Sequence, residues 1–101
     1  REYPDYKQLV ELEMANNFYT QGNFKKALDK YYEVIVEYPG SVSAADAYYY
    51  IAKYYETEKD DYLNALVNYN KVGQESSYSD FAVERISVSR TLEDYSMMKE
   101  V

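Results

Sequence analysis

The stretch from Gly22 to Ser41, GNFKKALDKYYEVIVEYPGS, restricts the fold more than any other part of the chain. Its apolar residues, Phe24, Ala27, Leu28, Tyr31, Val34, Ile35 and Tyr38, fall at the three- and four-residue spacing that lines one face of a helix. Gly22 ahead of them and Pro39-Gly40 behind them bracket that helix, which is expected over roughly Asn23 to Tyr38. A second copy follows at Tyr62, Ala65, Leu66, Tyr69 and Val72, with Ala-Leu-x-x-Tyr-x-x-Val identical in both. A methyl side chain at the same point of each copy lets two backbones approach closely, where a larger residue would force them apart. A repeated unit of this kind predicts a helical repeat array.

The remaining segments fit around those two helices. A helix from Asp5 or Tyr6 to about Thr20 carries Leu9, Val10, Leu12, Met14, Ala15, Phe18 and Tyr19, an apolar arc broad enough to be contacted on two sides. Thr20-Gln21-Gly22-Asn23 reads as the turn after it, with Gly22 suited to left-handed geometry and Asn23 to capping. A further helix is expected to open at Ser41–Asp46, with Ser43 and Asp46 as a capping box, and to run to about Thr57. Its inward stripe is Ala47, Tyr48, Ile51, Ala52 and Tyr55, with Tyr49, Tyr50, Lys53 and Tyr54 off the stripe. The acidic turn 56–61 has one residue more than its counterpart and lacks glycine; the ligand spacing of a calcium loop is missing from it. The second copy is expected from about Asp61 to Val72, stopped by Gly73. Ala82, Val83, Ile86, Val88, Leu92 and Tyr95 predict a last helix from about Ser79, and Ala82 and Ile86 follow Ala47 and Ile51 by 35 residues. Thr91 with Asp94 leaves open whether 91–101 continues it or starts another.

These elements predict a single all-α domain over residues 1–101. Residues 5–40 form one repeat, 41–75 a second, and 76–101 a partial repeat or capping helix. Glu-Tyr-Pro at 2–4 recurs at 37–39, so residues 1–4 read as the tail of a preceding repeat. With no initiating Met at position 1, the chain is expected to be a fragment of a longer repeat protein.

Composition narrows the chemistry. The chain has no Cys and no His, which removes thiolates, disulfides, and the commonest general base and transition-metal ligand. The serines at 76, 77, 79, 87 and 89 lack an elbow or oxyanion site, the paired acids Glu11/Glu13 and Asp60/Asp61 do not face across a cleft, and no Gly-rich phosphate loop exists. No catalytic residue, cofactor or metal is therefore expected. A net charge of −7 with no basic stripe argues against nucleic acid, and no apolar run approaches a membrane span. Fifteen Tyr and no Trp make tyrosine the large packing residue, its ring inside and its hydroxyl at the rim.

Ala15, Phe18, Gly22, Phe24, Ala27, Tyr31 and Pro39 together resemble the tetratricopeptide repeat signature, with Glu11 and Met14 as departures. The resemblance implies antiparallel helix pairs, A and B, stacked in a right-handed superhelix of about two and a half repeats and five main helices. It also implies a concave face lined mostly by A helices. Carried onto this chain, that face takes Leu9, Leu12, Glu13, Asn16, Tyr19 and Thr20 from the first repeat, Asp46, Tyr49, Tyr50, Lys53, Glu56 and Thr57 from the second, and Phe81 and Arg85 from the third. Leu12, Asn16, Tyr19, Tyr49, Tyr50, Lys53 and Arg85 are the candidate partner-binding residues, for an extended or helical peptide segment of a protein partner. A terminal-carboxylate clamp is not expected, because only Asn16 and Arg85 match its members while Leu12, Tyr50 and Phe81 replace the others. The turn YPGSVSAADA is similar to a bacterial envelope subset of the family, linked to outer-membrane assembly and the Tol–Pal system, which implies a periplasmic or outer-membrane-anchored location. A ligand-free spacer and a self-associating module are the other two readings.

Overall fold

Five helices, and no strand, make up residues 4–99, the part of the chain that the computed structural model describes. They are α1 (Pro4–Thr20), α2 (Phe24–Glu37), α3 (Val42–Thr57), α4 (Tyr62–Tyr69) and α5 (Ser79–Lys99). α1 starts at Pro4, a residue pre-set for a first helical position and the last of the stretch 1–4 expected to be the tail of a preceding repeat. Residues 1–3 of that expectation lie outside the described residues.

Local chemistry explains the boundaries. The Asn23 side chain caps α2 by accepting from the Lys26 N–H, and Gly22 takes φ 80° in the turn before it. The cap of α3 is Ser41, whose Oγ accepts from the Ala44 N–H at 3.0 Å. This corrects the expectation of Ser43 with Asp46, both of which are buried. Before α4 no glycine is present, and Asp60 supplies the left-handed turn at φ 51°. The Asp61 N–H then reaches back six residues to the Tyr55 carbonyl, where Asn23 reaches back five to Phe18. The extra residue of this turn is absorbed there.

α4 ends at Tyr69, short of the expected Val72, and Gly73 does not stop it. Asn70 turns its side chain onto the Leu66 carbonyl at 2.8 Å, and the Lys71 and Val72 amides bond three residues back instead of four. α5 is one continuous helix through Lys99, which settles the segment from Thr91 to Lys99 as its continuation.

The helices pack in chain order: α1 on α2, α2 on α3, α3 on α4 and α4 on α5, with α1 also touching α3. The Cα envelope is 60 × 28 × 18 Å. Two core clusters form along it. Leu12, Ala15, Ala27, Tyr31, Ala47 and Ile51 make the first; Ala52, Ala65, Tyr69 and Ala82 make the second; Tyr55 packs against both. Ala27 and Ala65 have no exposed surface, and the tyrosines four residues on, Tyr31 and Tyr69, fill the adjacent space. Glu11, a departure from the signature, accepts from the Tyr38 hydroxyl at 2.7 Å and pairs with Lys30 at 3.5 Å, so a polar tie joins α1 and α2 there.

Candidate functional site

The site is built from α3. Tyr49, Lys53 and the pair Glu56-Thr57 follow one another at helical spacing, so they share a face. α5 approaches that face with Phe81, Glu84 and Arg85, and Tyr69 of α4 closes the floor. The result is an open groove of about 390 Å³ between α3 and α5, at the small end of ligand-sized clefts and suited to one or two side chains of a larger partner.

The floor is held by charge. The Glu56 side chain is 5% exposed and the Arg85 side chain 34%. Arg85 donates through Nε to Glu56 Oε1 at 3.2 Å and through Nη2 to Oε2, and the Tyr69 hydroxyl donates to Oε1 at 2.7 Å. The carboxylate is thus fully occupied, and its hydrogen bond raises the Arg85 pKa further. Burial first, then the bond to Glu56, pushes the Tyr69 phenol well above its ordinary value, so it stays neutral. Lys53 is exposed at the rim and pairs with no acid among the described residues. Phe81 presents an apolar wall, 57% exposed.

A chain of rings runs from this groove back to α1. Tyr49 stacks on Tyr78 at 4.5 Å and meets Tyr69 at 5.9 Å. Tyr50 stacks on Tyr31 at 5.5 Å, and its hydroxyl lies 2.6 Å from that of Tyr78. Tyr19 continues the chain, edge-on to Phe24 and Tyr31. Burial is the leading cause that raises the Tyr49 and Tyr50 phenols, so these rings do not ionise near neutrality. Tyr78 is pinned beneath them by the connection after α4. Ser76 Oγ accepts from the Tyr78 N–H at 3.0 Å and donates to Asp46 Oδ1 at 2.5 Å.

The groove brings together Tyr49, Lys53 and Arg85 of the sequence-derived candidates, along with Glu56, Thr57 and Phe81 of the wider face. The others are elsewhere. Leu12 is 4% exposed inside the first core cluster, which corrects its assignment to a partner-binding face. Asn16 accepts from the buried Tyr31 hydroxyl at 2.5 Å, so it holds a core ring in place. Tyr19 and Tyr50 are half-buried members of the ring chain. Asp46 is buried too, against Ser76. Tyr69, Tyr78 and Glu84 were not foreseen. Tyr69 carries the helix signature and reads as core, while Tyr78 lies in a connection, where no periodicity marks it.

No family model, curated protein or solved structure matches this chain. No described helix is long and apolar enough to cross a membrane.

Proposed function

We propose that this chain is a non-catalytic protein-interaction scaffold of the tetratricopeptide kind, its helix pairs continuing a right-handed superhelix. A peptide segment of a partner lies along the α3–α5 groove. The observation that carries the reading is the pairing of an exposed apolar wall, Phe81, with an exposed, unpaired cation, Lys53, over a floor whose own charges are satisfied. Such a groove offers contact area and two exposed charges of opposite sign, Lys53 and Glu84, without a buried polar group left open. The aromatic Tyr49 adds a large surface with few rotors to freeze.

The setting we propose, a bacterial envelope assembly, rests on the sequence resemblance of the turn YPGSVSAADA alone. Cell fractionation tests it, and a purely cytosolic distribution refutes it. For binding, the test is partner capture followed by titration with Lys53→Glu and Phe81→Ala, two exposed positions whose change leaves the core intact. Loss of at least about tenfold in affinity with an unchanged melting curve supports the groove. Equal affinity refutes it.

A spacer without its own ligand is the second reading, favoured by one observation: Tyr50 and Tyr19 spend their rings on internal stacking. A chain from which both groove variants leave every captured partner bound fits that reading.

A further inference from the structure

The chain carries fifteen Tyr and has neither Cys nor Trp. A one-electron oxidant acting on it finds no thiol and no indole, so the phenols are the groups that give up an electron most easily. Where two phenoxyl radicals meet, their ring carbons couple. Which rings meet is decided by the fold.

Tyr78 is the best placed of them. It lies in the connection between α4 and α5, with its ring centroid 4.5 Å from that of Tyr49 and the two planes 3° from parallel. That separation is the short end of the range for paired aromatic rings. The Tyr78 hydroxyl lies 2.6 Å from that of Tyr50, and its N–H donates to Ser76 Oγ at 3.0 Å. The ring is thus held at three points before any reaction, and the cost of bringing the two phenols together is already met. Tyr49 and Tyr78 are each half-buried, so their edges are open to an oxidant and to water. The other parallel pair, Tyr31 with Tyr50, is wider at 5.5 Å, and Tyr31 has no exposed surface.

From this placement we infer that Tyr49 and Tyr78 form an oxidative cross-linking site, a pair that a haem peroxidase with hydrogen peroxide joins into a dityrosine within one chain. Each phenol gives up one electron and one proton. The two radicals form a carbon–carbon bond beside their hydroxyls, and the two displaced ring hydrogens move to the oxygens, which restores both phenols. The peroxide takes the two electrons and two protons and leaves as water. The new bond ties α3 to the connection ahead of α5 and closes a covalent loop around α4, a helix of only 8 residues. Such a loop restricts the unfolded chain, so the cross-linked form is the more stable one. The site is independent of what the α3–α5 groove binds.

The test treats the whole chain, in dilute solution, with a haem peroxidase and hydrogen peroxide. A monomer lighter by two hydrogens is expected, with dityrosine fluorescence and a yield that does not grow with protein concentration. Trypsin cuts after Lys30, Lys53, Lys71 and Arg85, so the product joins peptide 31–53 to peptide 72–85, in which Tyr78 is the sole tyrosine. Fragmentation of the joined peptides assigns the bond to Tyr49 without any variant. Tyr49→Phe and Tyr78→Phe keep the packed ring, and each lowers the joined product at least about tenfold. Tyr50→Phe leaves it. The purified cross-linked chain melts on the order of 10 °C above the parent. A joined product that survives Tyr49→Phe overturns the assignment, and so does dityrosine found only in dimers. A mapped bond that leaves the melting temperature unchanged overturns its role as a lock.

Discussion

Replacing Arg85 with Met tests whether α5 is locked to α3 by charge. Glu56 has 5% of its side chain exposed and holds three donors, two of them on Arg85. Arg85→Met keeps the length of the side chain and removes both. The buried carboxylate is then left with the Tyr69 hydroxyl alone. Breaking one side of a fully buried ion pair costs about 3–5 kcal/mol. Arg85 is 34% exposed, so water already screens part of the attraction, and the figure is discounted to about 2–3 kcal/mol. For a domain of this size that is a fall in melting temperature of roughly 10–20 °C. Urea denaturation followed by far-UV circular dichroism measures it, with the slope unchanged if only stability has moved. Glu56→Gln in the Arg85→Met background restores most of the loss, since the amide oxygen still accepts from Tyr69 and no charge remains buried. A cost below about 0.5 kcal/mol for Arg85→Met, the range of an exposed pair, refutes the reasoning. So does a double variant no more stable than the single one.

Three other perturbations follow from the packing. Ala27→Leu forces three extra carbons into a site with no exposed surface, and a loss of about 2 kcal/mol or more is expected in the same urea titration; a neutral result places the α1–α2 crossing elsewhere. Ser89 Oγ is buried without a hydrogen-bond partner, so Ser89→Ala removes an unsatisfied hydroxyl and raises stability by about 1 kcal/mol, read as a higher urea midpoint. Asp46 has its pKa raised above 3.8, first by burial and against the hydrogen bond from Ser76. A raised folded-state pKa means that its favourable contribution is complete below the unfolded value and is lost as pH rises through the folded one. Asp46→Asn is therefore more stable than the parent at pH 7, and the gap closes as pH falls toward 3.8; a gap that widens in acid reverses the sign and refutes it.

Much of the helix pattern is legible in the chain because it is carried by neighbours along it. The three- and four-residue spacing around Ala27, Tyr31 and Val34 needs only local geometry to become a buried stripe, and it does so in α2. Asn23 as a cap and Gly22 as a turn are likewise local choices, read correctly from residue type. Where two local signals compete, the reading slips. Ser41 and Ser43 are both good caps, and the one two residues earlier wins because Ser43 is turned into the core. The Val72 end of the second copy fails because Asn70 offers its own side chain to a helix carbonyl, an alternative that apolar periodicity does not register.

The amino-acid order by itself determined that this protein is helical, where its small and aromatic residues interlock, and that its chemistry excludes thiols and imidazoles. Those properties depend on residue identity and on contacts within one or two turns. Only the tertiary structure decided what each polar or aromatic side chain does. Leu12 went into the core, Asn16 under Tyr31, and Glu56 between Arg85 and Tyr69, residues 29 and 13 positions further along the chain. A carboxylate's partner, or the free side of a helix, is set by which helix lies across from it. That is a property of packing between segments distant in sequence, and the order of residues along one helix does not contain it.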